Sequence, residues 1–396
     1  MNAPVKTQPH HHDVLRIGLR VPEWSKYGDA IIRGILQFVR EYNLTWHMDI
    51  PVYSDHELEP VNIDDSWQGD GLIVFRCSED EHAAWKKRGI QIINLSAETR
   101  IPSLPNVLPD NEEIGKVAAD YLISRGLNHF CYVGDSTRHY SNLRQNGFQK
   151  ELERRGRSCF TVDVPISQTK GKQRWKEIQQ RMKDQLVNTT KPIGILTRDD
   201  MAAMNLLKVA EQMNIQVPQD WAVVGVGDSS PFCQSARPPI TSIHYPNERI
   251  GYQAAKLMHQ MITAQAPGQD IMLPVGGITE RESSNMLSFK DDSIAKAVSY
   301  IHKHAAKGPV NIADLSAQFG MSYTGFRQRF KKIMGHTAKE EIDNVRMNQI
   351  RSMLANSELH IQEIGYQMNF QTPEDLSRFF QRHQGMSPTA YRALLK

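Results

Sequence analysis

Residues 361–392 read IQEIGYQMNFQTPEDLSRFFQRHQGMSPTAYR, and this stretch decides how the end of the chain folds. Ile361, Ile364 and Met368 recur at the three- and four-residue spacing of a helix face, and a turn follows. Thr372 is placed to cap the next helix, Pro373 fills its first position, and Glu374 and Asp375 lie where the helix dipole favours acids. Leu376 and Phe380, four apart, would face a core, and Gly385 supplies a left-handed stop. The same grammar occurs upstream. Phe326-x-x-x-Phe330-x-x-x-x-Gly335 precedes Leu376-x-x-x-Phe380-x-x-x-x-Gly385 by 50 residues, and Ile312-x-x-Leu315-x-x-x-Phe319 precedes Ile361-x-x-Ile364-x-x-x-Met368 by 49. The second unit therefore has one more residue in its turn. In the first unit Gly320 ends one helix and Ser322 caps the next, so both units spell helix-turn-helix, over residues 312–333 and 361–383.

Once the apolar pairs face inward, the outward face of each second helix is fixed. It carries Thr324, Arg327 and Gln328 in the first unit and Glu374, Asp375, Ser377 and Arg378 in the second. Arg and Gln match base edges in the major groove, and Lys331 and Lys332 suit phosphates. Taken singly, Arg327, Arg329 and Arg378 also fit solvated surface charge; taken with the caps and core spacing they do not. Residues 339–355 predict one helix of about 25 Å, a spacer able to set two recognition helices near one DNA turn apart, roughly 34 Å. From Phe289 onward 15 Lys/Arg face 10 Asp/Glu, leaving 32 against 34 for the rest, so the chain's net charge of +3 conceals a local basic excess. Only this smaller part is suited to a polyanion.

Residues 289–396 resemble the DNA-binding domain of the AraC/XylS family of transcription regulators. The resemblance is carried by Ile361-x-Glu363-Ile364, Phe370, Arg378-x-Phe380, Gly385 and Ser387-Pro388-x-x-Tyr391-Arg392. Departures are Gly365 and Asn369, where alanine and glycine are usual, and Gln381 for a lysine. By position, the family's base-contacting residues fall on Thr324, Arg327 and Gln328, then on Pro373, Glu374, Ser377 and Arg378.

Ahead of this domain, short apolar runs at 14–19, 71–75, 91–95, 130–133, 193–196 and 222–226 alternate with amphipathic stretches at 29–42, 112–125, 142–155, 199–213 and 248–262. Such alternation predicts βαβ units and a parallel sheet. Some 270 residues exceed one comfortable doubly wound sheet, so two α/β lobes with a cleft are expected over residues 14–284, with a short linker near 282–289. Residues 1–13, with three consecutive histidines, read as a flexible leader rather than a metal site. No apolar run approaches the roughly 20 residues of a bilayer span, and the start lacks a signal-peptide pattern, so a cytoplasmic protein with no membrane partner is expected. Four cysteines, Cys77, Cys131, Cys159 and Cys233, form no C-x-x-C pair and read as buried thiols. No P-loop, G-x-S-x-G or H-E-x-x-H motif occurs, and Gly225-x-Gly227 lacks the third glycine of a dinucleotide loop. No catalytic residue, metal or cofactor is predicted.

Across 14–282 the order of motifs resembles the periplasmic-binding-protein-like (type I) effector domain of LacI/GalR-type repressors. The pieces are Asp110-Asn111-x-x-x-Gly115, Arg144-x-x-Gly147-Phe148, Asp199-x-Met201-Ala202, Gly225-x-Gly227-Asp228 and Pro238-Pro239-x-Thr241-x-Ile243. The resemblance implies a two-lobed α/β sensor followed by an all-α domain with two helix-turn-helix motifs. It places sugar contacts on Arg144, Arg198, Asp228, Ser96 and Tyr245, with Trp24 stacking on the sugar's apolar face. Arg198 stands where asparagine is common, Ser96 where an acid is, and Gly227 shifts the frame around Asp228, so the sugar differs from the familiar ones or carries an acid group. Asp228 as a helix cap, Arg144 as surface charge and Trp24 as packing stay open. The joint architecture, with Gly251-Tyr252-Gln253-Ala254-Ala255-Lys256-Leu257 and Glu280-Arg281, is similar to regulators of xylose operons. It implies a homodimer on paired half-sites of double-stranded DNA, a pentose effector, and RNA polymerase as a further partner. An enzyme fused to a DNA-binding domain, and a sugar-binding protein whose helical tail meets other proteins, remain as alternatives.

Overall fold

The structure is a computed structural model that describes residues 14–21, 26–50, 63, 66–75, 77–98, 101–165, 174–289, 291–357 and 359–395. The leader at 1–13 and Trp24 lie outside the described residues. The chain divides into two compact units, Met1–Leu108 with Asn247–Met272, and Pro109–Pro246 with Leu273–Lys396.

The first unit holds β1 (Leu15–Arg20), α1 (Lys26–Glu41), β2 (Trp46–Asp49), β3 (Gly71–Val74), α2 (Glu79–Lys87) and β4 (Gln91–Asn94). Its strands form a parallel sheet in the order β2-β1-β3-β4. Leu72, Ile73 and Val74 are fully buried, as a central strand covered on both faces requires. The strand β5 (Val107–Pro109) leads out of the unit.

The second unit begins with α3 (Asn111–Ser124), β6 (His129–Gly134), α4 (His139–Arg154), β7 (Cys159–Asp163), α5 (Arg174–Leu186), β8 (Ile193–Thr197), α6 (Asp200–Gln212), β9 (Trp221–Val226), α7 (Ser230–Ser235) and β10 (Thr241–His244). The helix α8 (Asn247–Thr263) returns to the first unit, where Gly251 lets it press on α1: a Cβ there would sit 2.0 Å from the Ile31 carbonyl oxygen. After β11 (Ile271–Leu273), β12 (Gly277–Thr279) completes a six-stranded sheet in the order β12-β10-β9-β8-β6-β7. All its pairings are parallel except that of β12 with β10. The apolar runs thus become strands and the amphipathic stretches helices. The helix α5 has no counterpart among the predicted stretches, since it buries only the narrow stripe Ile178, Met182 and Leu186 in a strongly polar sequence.

The expected linker is firmer than its composition suggests. Ser283 and Ser284 are fully buried in a 3-10 turn. Ser283 Oγ donates to the Val223 carbonyl (2.6 Å) and accepts from Thr241 N (2.9 Å), while Ser284 Oγ donates to Thr241 Oγ1 (2.7 Å). Small hydroxyls that read as a break serve as hydrogen-bonding groups for the interior strands β9 and β10. One of the four thiols departs from expectation: Cys159, on the edge strand β7, is only partly buried, whereas the others are buried.

The remaining chain is helical: α9 (Asp292–His304), α10 (Ile312–Gln318), α11 (Tyr323–Met334), α12 (Ala338–Asn356), α13 (Ile361–Gln367), α14 (Pro373–Gln384) and α15 (Pro388–Leu395). It has two cores. Ile294, Val298, Ile301, Phe326, Phe330 and Ile342 fill the first; Met347, Ile350, Leu354, Ile364, Leu376, Phe380 and Tyr391 fill the second. The helix α12 contributes to both. Between them the buried Arg346 donates to the carbonyls of Met368 (2.9 Å) and Ala305 (3.4 Å), with its guanidinium 4.3 Å from the Phe370 ring. No helix among the described residues is long and apolar enough to cross a membrane.

Candidate effector site and nucleic-acid interface

In a parallel sheet, ligands bind beyond the carboxyl ends of the strands, where helix N-termini and loop side chains converge. Within the second unit, Asp135 follows β6, Arg198 follows β8, Asp228 lies just past β9, and Tyr245 follows β10. The register aligns these ends: Val133 pairs with Thr197, Leu196 with Val224, and Val226 with Ile243.

Arg144 comes from α4, and two of the quoted motifs explain how it is held. Asp110 caps α3 by accepting from Glu113 N (2.9 Å). A Cβ on Gly115 would lie 2.1 Å from the Arg144 carbonyl oxygen, and one on Gly147 2.0 Å from that of Glu112. Both helices therefore need glycine at their crossing. Phe148 is fully buried beneath it. This places Arg144 Nε 2.9 Å from Asn111 Oδ1 and lets Arg144 Nη1 donate to the Arg198 carbonyl. The guanidinium carbon is 5.0 Å from the Tyr140 ring centre and 5.4 Å from that of Tyr245. Arg144 is only 3% exposed, which excludes plain surface charge. Burial pushes the Tyr140 phenol up to about 12, so this ring stays neutral. Among the described residues, the groups holding Arg144 are all neutral. Buried charges are ordinarily paired, so a buried guanidinium held this way is poised for a ligand that brings acceptors.

The other predicted residues are more constrained. Arg198 donates Nε to Asp199 Oδ2 (3.0 Å) and Nη1 to the Val164 carbonyl (3.3 Å), while Asp199 also caps α6 through Ala202 N (2.7 Å). Asp228 has a left-handed φ of 48°. Its carboxylate accepts from Arg281 Nη2 (2.7 Å) and Thr279 Oγ1 (2.6 Å), so it does not cap α7. That end is met by Asp200, which is buried and accepts from Ser229 N (2.7 Å) and Ser242 Oγ (2.5 Å). Ser96, in the first unit, is buried after β4 and accepts from Glu98 N (3.2 Å). Sequence reasoning missed Tyr140, Asn111, Thr279 and Arg281 as neighbours. The four-residue spacing of Tyr140 and Arg144 on one helix was the available signal.

In the helical domain both recognition helices take the predicted caps. Ser322 Oγ accepts from Gly325 N (3.2 Å), Thr372 Oγ1 accepts from Asp375 N (3.2 Å), and Gly335 and Gly385 end the helices at φ 76° and 79°. Phe326, Phe330, Leu376 and Phe380 are fully buried. Thr324, Arg327, Gln328, Lys331 and Lys332 are exposed on α11, with the Arg327 guanidinium 5.4 Å from the Tyr323 ring. Arg329 instead pairs with Asp291. On α14, Glu374 and Arg378 are exposed while Pro373 and Ser377 are partly buried. Arg378 Nη2 lies 2.6 Å from Asp375 Oδ1, and this pair with the Thr372 hydroxyl holds the Asp375 carboxyl below its usual range.

A strand-end site on a parallel α/β sheet joined to a tandem helix-turn-helix defines the class, a periplasmic-binding-protein-like domain combined with a DNA-binding domain. A model of periplasmic binding protein-like domains matches residues 119–284, and one of helix-turn-helix domains matches residues 315–394. More particularly, the chain is homologous to the xylose operon regulatory protein of Escherichia coli (strain K12), at 24% identity over 386 residues, 95% of this chain and 96% of that one. The solved structure of a xylose-binding transcription activator, 23% identical, shares the fold with a TM-score of 0.59 over 96% of this chain and 98% of that one. A LacI family transcriptional regulator from Enterococcus faecium with bound ribose, 21% identical, aligns at 0.56 over 69% of this chain and all of that one. All three relatives are transcription regulators rather than enzymes.

Proposed function

We propose that the protein is a sugar-responsive, sequence-specific transcription regulator whose effector is a pentose of the xylose type. The observation that carries this is Arg144: a buried guanidinium at the strand ends, held by neutral groups, in one compact unit with a tandem helix-turn-helix. A pentose brings several hydroxyl oxygens that accept charge-assisted hydrogen bonds. The aromatic rings of Tyr140 and Tyr245 suit its C–H faces. Arg198, Asp228 and Tyr245 are proposed as further contacts, as are Ser96 and Trp24. The homology to a xylose operon regulator supports the choice of sugar.

The DNA contacts are proposed for Thr324, Arg327, Gln328 and Lys331 on α11 and for Pro373, Glu374, Ser377 and Arg378 on α14. The protein acts as a cytoplasmic homodimer on paired half-sites and, as an activator, meets RNA polymerase there. A ligand shifts such a system only by binding its two states with different affinity. The test is binding of the full chain to its own upstream DNA over a salt series, with and without D-xylose. Affinity should fall steeply with salt and change with the sugar. Salt-insensitive binding, or none, would refute DNA reading, and indifference to every aldopentose would refute the effector.

A further inference from the structure

The helical domain and the sheet of the second unit meet through several polar contacts, and most of them end on main-chain carbonyls. Tyr391 Oη donates to the Val275 carbonyl, and Arg157 Nη2 to that of Ile333 at the end of α11 (3.1 Å). Such bonds fix position without sensing side chains. One contact differs. Arg351, on α12, places Nη2 3.1 Å from Oε1 of Glu113 on α3. Among the described residues this is the one ion pair that joins the helical domain to the sheet-bearing part. The same guanidinium donates Nε (3.0 Å) and Nη2 (2.6 Å) to Oε1 of Gln384, the last residue of α14. The Arg351 side chain is 10% exposed and that of Glu113 17%, so the pair is largely shielded from water and salt.

Glu113 lies two residues from Asn111, about 3 Å along the helix axis. Asn111 is the residue that Arg144 grips, and the glycine crossing of α3 with α4 makes the two helices move as one body. Beside Glu113 and Arg351 runs a cavity of about 280 Å³, lined also by Asp120, Arg155, Asp343 and Met347. A polar, incompletely filled interface between domains can slide, unlike a packed apolar one.

We propose that Arg351 is a positioning residue for DNA reading, which, held by Glu113 of α3 and holding Gln384 of α14, ties the orientation of the second recognition helix to the state of the helix pair that carries Arg144. This rests on the reading of Arg144 as an effector contact only for its regulatory consequence; the link itself exists without sugar. Displacement of α3 moves Glu113, Arg351 follows because its charge has no other carboxylate in bonding reach among the described residues, and the end of α14 follows Arg351. The first recognition helix is held instead through the main-chain carbonyl of Ile333, by Arg157, and by no ion pair to the sheet-bearing part among the described residues, so loss of the Glu113 charge acts on α14 and leaves the hold on α11 in place.

The test uses the full chain on its upstream DNA, first without sugar. Glu113→Gln keeps the side chain's shape and removes its charge. It should raise amide hydrogen exchange in residues 373–384, leave exchange in residues 323–334 unchanged, and weaken protection over half of each half-site, with an overall affinity loss on the order of tenfold. The exchange Glu113→Arg with Arg351→Glu restores an ion pair of opposite sense and should recover both exchange and footprint. Unchanged exchange in α14 with Glu113→Gln, or no recovery in the charge exchange when the melting temperature is native-like, overturns the link. D-xylose is added last. Where it stabilises wild type and Glu113→Gln equally but reshapes only the wild-type footprint, the link is supported; equal reshaping overturns it. If D-xylose fails to bind wild type, the pentose reading falls and the sugar-free arms still decide the link.

Discussion

Replacing Arg144 by alanine separates ligand binding from folding, because the two depend on this side chain to different extents. In the sugar-free protein the change removes hydrogen bonds to Asn111 and to the Arg198 carbonyl. Each bond from a charged donor contributes about 1.5–3 kcal/mol. Against this, burying a guanidinium with no carboxylate partner costs several kcal/mol. The terms nearly cancel, and Arg144→Ala should lower unfolding stability by no more than about 1–2 kcal/mol, a few degrees in Tm. With sugar the balance differs. Wild type at a hundredfold excess over Kd gains about 2.7 kcal/mol, which raises Tm by roughly 3 °C for a chain this size. Losing two charge-assisted bonds to hydroxyls weakens affinity by about 3 kcal/mol or more, so the same sugar concentration gives a shift of at most about 1 °C. Differential scanning fluorimetry with D-xylose measures both quantities. A variant that keeps the full sugar shift would remove Arg144 from the site, and one that unfolds outright would show that the guanidinium is chiefly structural. DNA affinity without sugar should be unchanged.

Three further outcomes are expected. Arg327→Ala should weaken binding to cognate DNA by about 1–3 kcal/mol more than to random DNA, measured by competition; equal losses would make Arg327 a phosphate contact. Gly147→Ala would set a methyl 2.0 Å from the Glu112 carbonyl oxygen, so urea unfolding should show a loss of about 3 kcal/mol, and a loss under 1 would contradict the tight helix crossing. Burial would raise the Glu341 carboxyl, yet hydrogen bonds from His302 (2.6 Å) and His336 (2.7 Å) outweigh it and hold it at about 2, against an ordinary 4.5. Its contribution is therefore fully present above pH 4.5 and lost as pH falls toward 2, about 3 kcal/mol in all, and Glu341→Gln should flatten that part of the stability profile.

What could be read in the sequence follows from range. The tandem helix-turn-helix was legible because every signal in it is local: Ser322 and Thr372 cap within three residues, Phe326 and Phe330 lie four apart, and Gly335 and Gly385 end their helices in the left-handed region. The motif around Arg144 was legible for the same reason, and the structure gives it a packing cause in Gly115 and Gly147. The neighbours of the site were not, since Arg281 reaches Asp228 across 53 positions and Thr279 across 51. Ser283 and Ser284 misled because a buried hydroxyl satisfied by β9 and β10 has the same composition as a loop. The Arg351 contact spans 238 positions, and nothing in either local sequence marks it.

The two recognition helices carry hydroxyl caps and apolar pairs four residues apart, yet their electrostatics diverge, and this bears on how each meets DNA. On α11, Arg327, Lys331 and Lys332 are exposed and have no ion pair among the described residues, so Arg327 can turn to a base edge and the two lysines to phosphates without breaking a pair. On α14, Arg378 is already engaged by Asp375, and Glu374 adds an exposed negative charge beside it. To touch a base, Arg378 must first exchange Asp375 for guanine, a substitution with little net electrostatic gain at an exposed pair. Glu374 repels phosphate and is suited only to a cytosine amino group. The second helix thus contributes little affinity unless it is held in register, and its geometry counts for more than its charge. Arg351, bonded to Gln384 at the far end of that helix, supplies such a hold, so a small displacement at Glu113 acts where binding depends most on position.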